Sequence, residues 1–167
     1  MIEVTSHGLK QGRVKGIDFD CAIFTNLSRD HLDYHQTMDE YAKTKRILFE
    51  SLGEDKTAII NVDDPLALDF ISVSPKNTIT YGIEKEAAVS AKDIVMQANQ
   101  SSFTICYKGE EVPFTWSMIG RFNVYNCLAA ITVGLSLSYP LKTVAKALES
   151  FQSVPGRLQA VPNTKGL

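Results

Sequence analysis

The sequence predicts an α/β fold, a mainly parallel sheet flanked by helices, with an antiparallel β hairpin or subsheet added. Three observations lead there. Short runs rich in Ile, Val, Ala and Thr recur at residues 2–5, 21–24, 57–60 and 77–81; they are too brief for helices and read as strands buried on both faces. Between the second and third run, Met38, Tyr41, Ala42, Leu48, Phe49 and Leu52 recur at spacings of three and four, the period of an amphipathic helix. After Gly82 the period drops to two. Phe103, Ile105 and Tyr107 alternate with polar or smaller residues, as do Val112, Phe114, Trp116 and Met118 beyond Lys108-Gly109, which predicts a hairpin with one buried face.

Taken in order, residues 2–5 form a short buried strand and Ser6-His7-Gly8 a turn. Residues 11–20 are polar and irregular. The run at 21–24 ends in Thr25-Asn26, and a polar segment carrying Asp30, His31, Asp33 and His35 leads into the helix. Gly53 suits the position just past that helix. After the strand at 57–60, Asp63 or Asp64 suits an N-cap and Pro65 the first turn of a helix reaching about residue 71. Beyond the hairpin, an apolar helix spans 121 to about 137. Pro140 opens another that ends near 151, and Ser153-Val154-Pro155-Gly156-Arg157 is a loop. Repeats, low-complexity tracts and linkers are absent from the sequence, so the chain reads as one domain.

Composition narrows the function. The 167 residues are 44% hydrophobic and 22% charged with a formal net charge of −2, which suits a globular chain and argues against nucleic acid as a partner. Cys21, Cys106 and Cys127 sit in apolar runs without disulfide or zinc spacing, as thiols in a reducing compartment do. No stretch approaches the roughly 20 apolar residues of a membrane span, and residues 1–4 begin with strand-like sequence rather than a signal peptide. The expected location is the cytoplasm, without membrane insertion.

Ligands of open α/β sheets bind beyond the carboxyl ends of the strands. Glu3 with Thr5 and Ser6, Thr25-Asn26 with the Asp30/His31 cluster, and Asn61 with Asp63 occupy three such ends. Each alone also reads as a cap or turn. His31 and His35 are four apart, but the string is not His-Glu-x-x-His and has no third nitrogen or sulfur ligand nearby, which disfavours a zinc hydrolase. Lys45 falls on the apolar stripe of the first helix, whereas Lys43 and Arg46 are better placed to reach water. The ordinary reading of Lys45 is snorkelling of its amine to solvent. The functional reading is that desolvation leaves a neutral amine, able to add CO2 and become an anionic ligand for a hard cation. No Gly-x-x-x-x-Gly-Lys-[Ser/Thr] occurs in the chain.

Read together, Glu3-Val4-Thr5-Ser6-His7-Gly8-Leu9, Gln11, Arg13, the string FTNLSRDHLDYH and Tyr41-Ala42-Lys43-Thr44-Lys45 closely resemble the central domain of the Mur ligases. Asn61-Val62-Asp63-Asp64-Pro65, the segment from Gly120 through Asn126, and Pro155-Gly156-Arg157 are similar to later motifs of that domain, in the same order. The nearest branch is the one forming the tripeptide of the peptidoglycan stem. The resemblance implies a P-loop-NTPase-like fold and ATP-dependent amide formation. The terminal carboxylate of UDP-N-acetylmuramoyl-L-alanyl-D-glutamate is phosphorylated, and the amine of a diamino acid, meso-diaminopimelate or L-lysine, attacks the acyl phosphate.

The same resemblance implies site roles. Glu3 and His31 would contact Mg²⁺, at one of two sites expected in the full enzyme, and Lys45 would support the metal as a carbamate. Asn126 would hold the adenine and Arg157 the phosphates or ribose of ATP. Thr5, Gln11 and Arg13 would contact the UDP-muramoyl-peptide, with Thr5 standing where many members have serine. The family's phosphate loop and its uridine-binding and amino-acid-binding domains have no counterpart in the sequence. The expectation is therefore a partial central domain over 1–167, from a full-length enzyme that is monomeric, with the fragment itself inactive. A folylpolyglutamate-synthetase-like ligase and a non-catalytic nucleotide-binding module are the alternatives.

Overall fold

A computed structural model describes residues 1–27 and 37–151 of the chain. The chain divides into two compact units, Met1–Ala88 and Val89–Leu167, so the antiparallel part, expected as an insert or edge of one domain, is a unit in its own right.

The first unit contains α1 (Ser6–Lys10), β1 (Cys21–Phe24), α2 (Met38–Glu50), β2 (Thr57–Asn61), α3 (Ala67–Ile71) and β3 (Thr78–Gly82). β1 and β3 pair with β2 in parallel, with Ala22 opposite Ala58 and Ile59 opposite Ile79. All five residues of β2 are buried, the physical reason its middle, Ala58-Ile59-Ile60, is apolar without alternation. Phe70 of α3 stacks on Phe24 of β1 at 3.8 Å between centroids and meets Phe49 of α2 edge-on at 5.2 Å. Three separate segments thus build one core. Thr37 Oγ1 accepts the Glu40 N–H at 3.2 Å, capping α2, and Asp39 and Glu40 complement the positive end of its dipole. The helix stops at Glu50, before the Leu52 expected on its stripe, and Gly53 O instead accepts the Lys56 N–H in the following turn.

One expected element is corrected. Residues 2–5 form no strand, and Ile2 is exposed. Ser6-His7-Gly8, expected as a turn, is the start of α1, because Thr5 Oγ1 accepts the Gly8 N–H at 3.1 Å and caps it. A short apolar run makes a strand only where a neighbouring strand pairs with it, and none does here among the described residues.

The second unit contains β4 (Val89–Met96), β5 (Ser101–Tyr107), β6 (Glu110–Trp116), α4 (Arg121–Ser136) and α5 (Leu141–Glu149). The hairpin stands where the alternation put it. Lys108 and Gly109 both have positive φ, 49° and 80°, the mirror-image turn that matches strand twist. β4 adds an antiparallel strand that the sequence reading missed. Its alternation is broken between Lys92 and Val95 by a bulge, with Asp93 at φ 55°. α4 packs on α5 where Gly134 meets Val144, and Trp116 Nε1 donates to Phe151 O at 2.8 Å. Cys127 is fully buried, whereas Cys21 and Cys106 are half-buried. No helix of the described residues is long and apolar enough to cross a membrane.

Candidate functional site

The stripe that buries Tyr41, Ala42 and Phe49 of α2 also carries Lys45 inward. Its Nζ donates to Val4 O at 2.9 Å and lies 6.0 Å from the Tyr41 ring centroid. The amine is thus engaged with main chain instead of escaping to water. Burial pushes its pKa below the ordinary 10.5, opposed by the charge of Glu3, because desolvation penalises the ammonium more than this carboxylate relieves it.

Lys45 lines a cavity of about 500 Å³ in the first unit. Residues 1–4, Phe19 and residues 21–26 make its walls, with Leu48, Phe49 and Phe70. Glu3 and Lys45, two of the residues expected at the metal, therefore share this cavity. Thr5, Gln11 and Arg13 do not line it. Thr5 is the N-cap of α1, and the Gln11 N–H caps its other end through His7 O at 2.9 Å. Arg13, like them, is exposed. Asn126 is exposed on α4 of the second unit, its Nδ2 donating to Asn123 Oδ1 at 3.2 Å. His31, with Asp30, Asp33 and His35, and Arg157 lie outside the described residues.

The polar ends of β1 and β2 do converge, but their side chains are occupied in holding the fold. Asn61 Nδ2 donates to Thr25 O at 2.7 Å and its Oδ1 accepts the Asp63 N–H at 3.1 Å. The Asp63 carboxylate accepts three successive main-chain N–H groups, from Ile83, Glu84 and Lys85, at 2.6, 3.0 and 2.8 Å. Asp64 accepts from Leu27 and Leu66, both at 2.9 Å. Gly82 makes room: a Cβ there would stand 3.2 Å from both Asp63 carboxylate oxygens and 2.9 Å from Val62 Cγ2. The Asn-x-Asp-Asp string thus serves as a clasp on the strand ends, and Gly82 is its partner that sequence reasoning passed over. Its signal was a glycine closing a strand one loop away from a paired carboxylate. Among the described residues no group of three or more His, Cys, Asp or Glu is placed to hold a metal.

Comparison with known proteins agrees with this architecture. The family model described as "Mur ligase middle domain" matches residues 1–134. The UDP-N-acetylmuramoyl-L-alanyl-D-glutamate–2,6-diaminopimelate ligase of Bacillus velezensis is 44% identical over 167 aligned residues, covering 96% of this chain and 34% of the relative. The protein of the same name from Lactiplantibacillus plantarum is 37% identical, covering 99% and 35%. A solved structure of a ligase so named superposes with a TM-score of 0.84 at 32% identity, covering 96% of this chain and 34% of that one. MurF from Acinetobacter baumannii shares the fold, with a TM-score of 0.82 at 20% identity over 89% of this chain and 32% of its own. The chain spans about a third of the length of the curated relatives it matches. By the extent and specificity of these matches, the chain belongs to the Mur ligase middle-domain family.

Proposed function

We propose that this chain is part of the central domain of an ATP-dependent amide ligase acting in peptidoglycan synthesis. The reaction joins a diamino acid to UDP-N-acetylmuramoyl-L-alanyl-D-glutamate. The relatives' names favour 2,6-diaminopimelate over L-lysine as the amine. The enzyme would work in the cytoplasm as a monomer, with the uridine-binding and amino-acid-binding functions in domains other than this one.

The observation that carries the reading is the Lys45 amine, held to Val4 O and depressed in pKa within a cavity that Glu3 also lines. A carbamate forms only on a neutral amine, and partial burial shifts the Lys45 equilibrium in that direction. On this reading Glu3, Lys45 as its carbamate and His31 would hold a Mg²⁺ ion, which when bound supplies charge stabilisation to the transferring phosphoryl group. Thr5, Gln11 and Arg13 would orient the muramoyl-peptide, and Asn126 and Arg157 the nucleotide.

Mass spectrometry under native, bicarbonate-containing conditions tests this reading. The expected result is about 44 Da of added mass on Lys45, lost on acidification and absent from Lys45→Arg, since guanidinium stays protonated. Unmodified Lys45 in saturating bicarbonate overturns the carbamate. These 167 residues contain no Gly-Lys-Ser/Thr phosphate loop, which favours a second reading of the isolated polypeptide as a weak nucleotide-binding module. ATP-Mg²⁺ titration with a turnover assay separates the two: binding without turnover is expected of the isolated polypeptide.

A further inference from the structure

Lys45 is held by a main-chain group whose own placement calls for a cause. Its Nζ donates to Val4 O at 2.9 Å, yet residues 1–4 belong to no helix or strand, so no ladder fixes that carbonyl. The residue after it does. Thr5 is the N-cap of α1, extended at φ −81° and ψ 154°. Two bonds tie it to the helix: the Gly8 N–H donates to Thr5 Oγ1 at 3.1 Å, and the Leu9 N–H to Thr5 O at 3.0 Å. A cap hydroxyl reaches the N–H three residues on only from extended backbone, so the cap bond holds Thr5 φ. That angle sets the plane of the Val4–Thr5 peptide, and with it the direction of Val4 C=O. Gly8 leaves the hydroxyl its room, because a Cβ there would stand 3.3 Å from Thr5 Oγ1.

α1 is in turn anchored on α2. Leu9 is buried, and Lys10 Nζ reaches Glu40 Oε1 at 2.9 Å. The short helix thus runs from Val4 beside Lys45 back to Lys10 beside Glu40, antiparallel to α2 and bonded to it at both ends. The Lys10–Glu40 pair is exposed and adds little energy, but it fixes the alignment. The Tyr41 ring, its centroid 6.0 Å from Nζ, bounds the amine on another side.

We infer that Thr5 is a positioning residue for Lys45: its cap on α1 aims the Val4 carbonyl, and that carbonyl fixes Nζ and the direction in which the lysine carries an added CO2. The directing role rests on the carbamate reading; the contact itself does not. Addition of CO2 makes an Nζ–C bond from the lone pair of the neutral amine and releases one proton to water. The product nitrogen is planar and keeps a single N–H. With that N–H on Val4 O, trigonal geometry puts the new carboxylate on the far side of Nζ from Val4. Amine and carbamate donate to the same oxygen, so the lysine need not swing when it is modified. Without a fixed acceptor, the flexible four-carbon stem leaves the carboxylate no set direction. The role is compatible with a substrate contact by Thr5, since a hydroxyl that accepts from Gly8 still has its own proton to donate.

The test uses the 167-residue chain, labelled with heavy carbon and nitrogen. NMR reads the scalar coupling across the hydrogen bond, between the Lys45 Nζ nitrogen and the Val4 carbonyl carbon, with and without saturating labelled bicarbonate. The unaltered chain is expected to show the coupling in both states and one narrow carbamate line. Thr5→Val keeps the shape but has no hydroxyl acceptor. It is expected to lose the coupling, to split or broaden the carbamate line, and to speed amide exchange at Gly8 by about fivefold. Thr5→Ser, which keeps the acceptor, should retain both signals, an outcome that loss of side-chain packing alone would not give. Gly8→Ala, which only crowds the hydroxyl, is expected to weaken the coupling and stands in if Thr5→Val fails to fold. Slow exchange at the Ile59 amide of β2 reports an intact first unit in every variant. Undiminished coupling in folded Thr5→Val and Gly8→Ala overturns the positioning by Thr5. A carbamate that forms without coupling to Val4 overturns the directing role. Intact coupling with no carbamate in saturating bicarbonate overturns the carbamate reading and the directing role together, so the failures are distinguishable.

Discussion

The two units reach order by different routes. In the first, the core joins Phe24, Phe49 and Phe70 from three elements separated by long stretches of chain. Its central strand is buried on both faces, and its strand ends are held by Asn61, Asp63 and Asp64 reaching across to other segments. In the second, β5 and β6 are adjacent in sequence, and a two-residue turn with the required positive φ sets their register. The difference teaches which information is local. A hairpin is specified by residues a few positions apart, whereas a parallel ladder needs crossovers and long-range closure before any pairing is rewarded.

Truncating the long-range core should have the largest effect. Phe70→Ala removes a fully buried ring in contact with two others and is expected to cost about 3–5 kcal/mol. Denaturant unfolding measures it, and hydrogen exchange localises it. If amides of the β5–β6 hairpin lose protection as fully as those of β2, the distinction between the units breaks.

Gly134 is the corresponding point in the second unit. A Cβ there would lie 2.6 Å from Val144 Cγ2, so Gly134→Ala should destabilise by about 1–3 kcal/mol through overpacking, despite alanine's better helix propensity. Adding Val144→Ala should restore much of the loss; a double variant no more stable than the single one would show that the strain lies elsewhere.

The next test returns to the first unit and uses pH. Burial holds the Lys45 amine below 10.5 in the folded state. Between that lowered value and 10.5 the unfolded chain binds more protons than the folded one, so stability rises with pH across the window. Below the window the fold bears the cost of a half-buried ammonium. Lys45→Met should remove the slope there. Lys56, raised chiefly by its bonds to Asp20 and Asp18, and Lys92, raised by Glu111, act in the opposite sense and only above 10.5, so the windows do not overlap. An unchanged pH profile in Lys45→Met would place the amine in water.

The smallest effect belongs to the end of α4. Ser138 has φ 65°, and the N–H groups of Ser138 and Tyr139 return to Leu135 O and Gly134 O at 2.9 and 3.1 Å. This is a Schellman closure with serine where glycine is preferred. Ser138→Gly should stabilise by about 0.5–1 kcal/mol, seen as a raised midpoint in chemical denaturation.

Legibility in the sequence follows the same division. The α2 stripe, the hairpin and the buried strands at 21–24 and 57–60 could be read because period and turn chemistry are local properties. β4 escaped because its bulge interrupts the alternation. The strand expected at 2–5 failed because a short apolar run records a readiness to pair and not the presence of a partner. At the site, Lys45 stood out by its position on an apolar face, and the structure brings it together with Glu3 on one cavity. The roles of Asn61, Asp63 and Asp64 were ambiguous between ligand and cap, and only their bonds to Thr25, Leu27 and the 83–85 main chain decide for the clasp.

By itself, then, the sequence determined the α/β class, the hairpin and its turn, the family and the anomalous lysine, because periodicity, φ preference and motif order are written in neighbouring residues. The tertiary structure alone decided where the Lys45 amine goes, what the carboxylates after β2 hold, and that Glu3 and Lys45 line one cavity. Those outcomes depend on hydrogen bonds and burial between segments distant in the chain, which have no sequence signature until the segments meet.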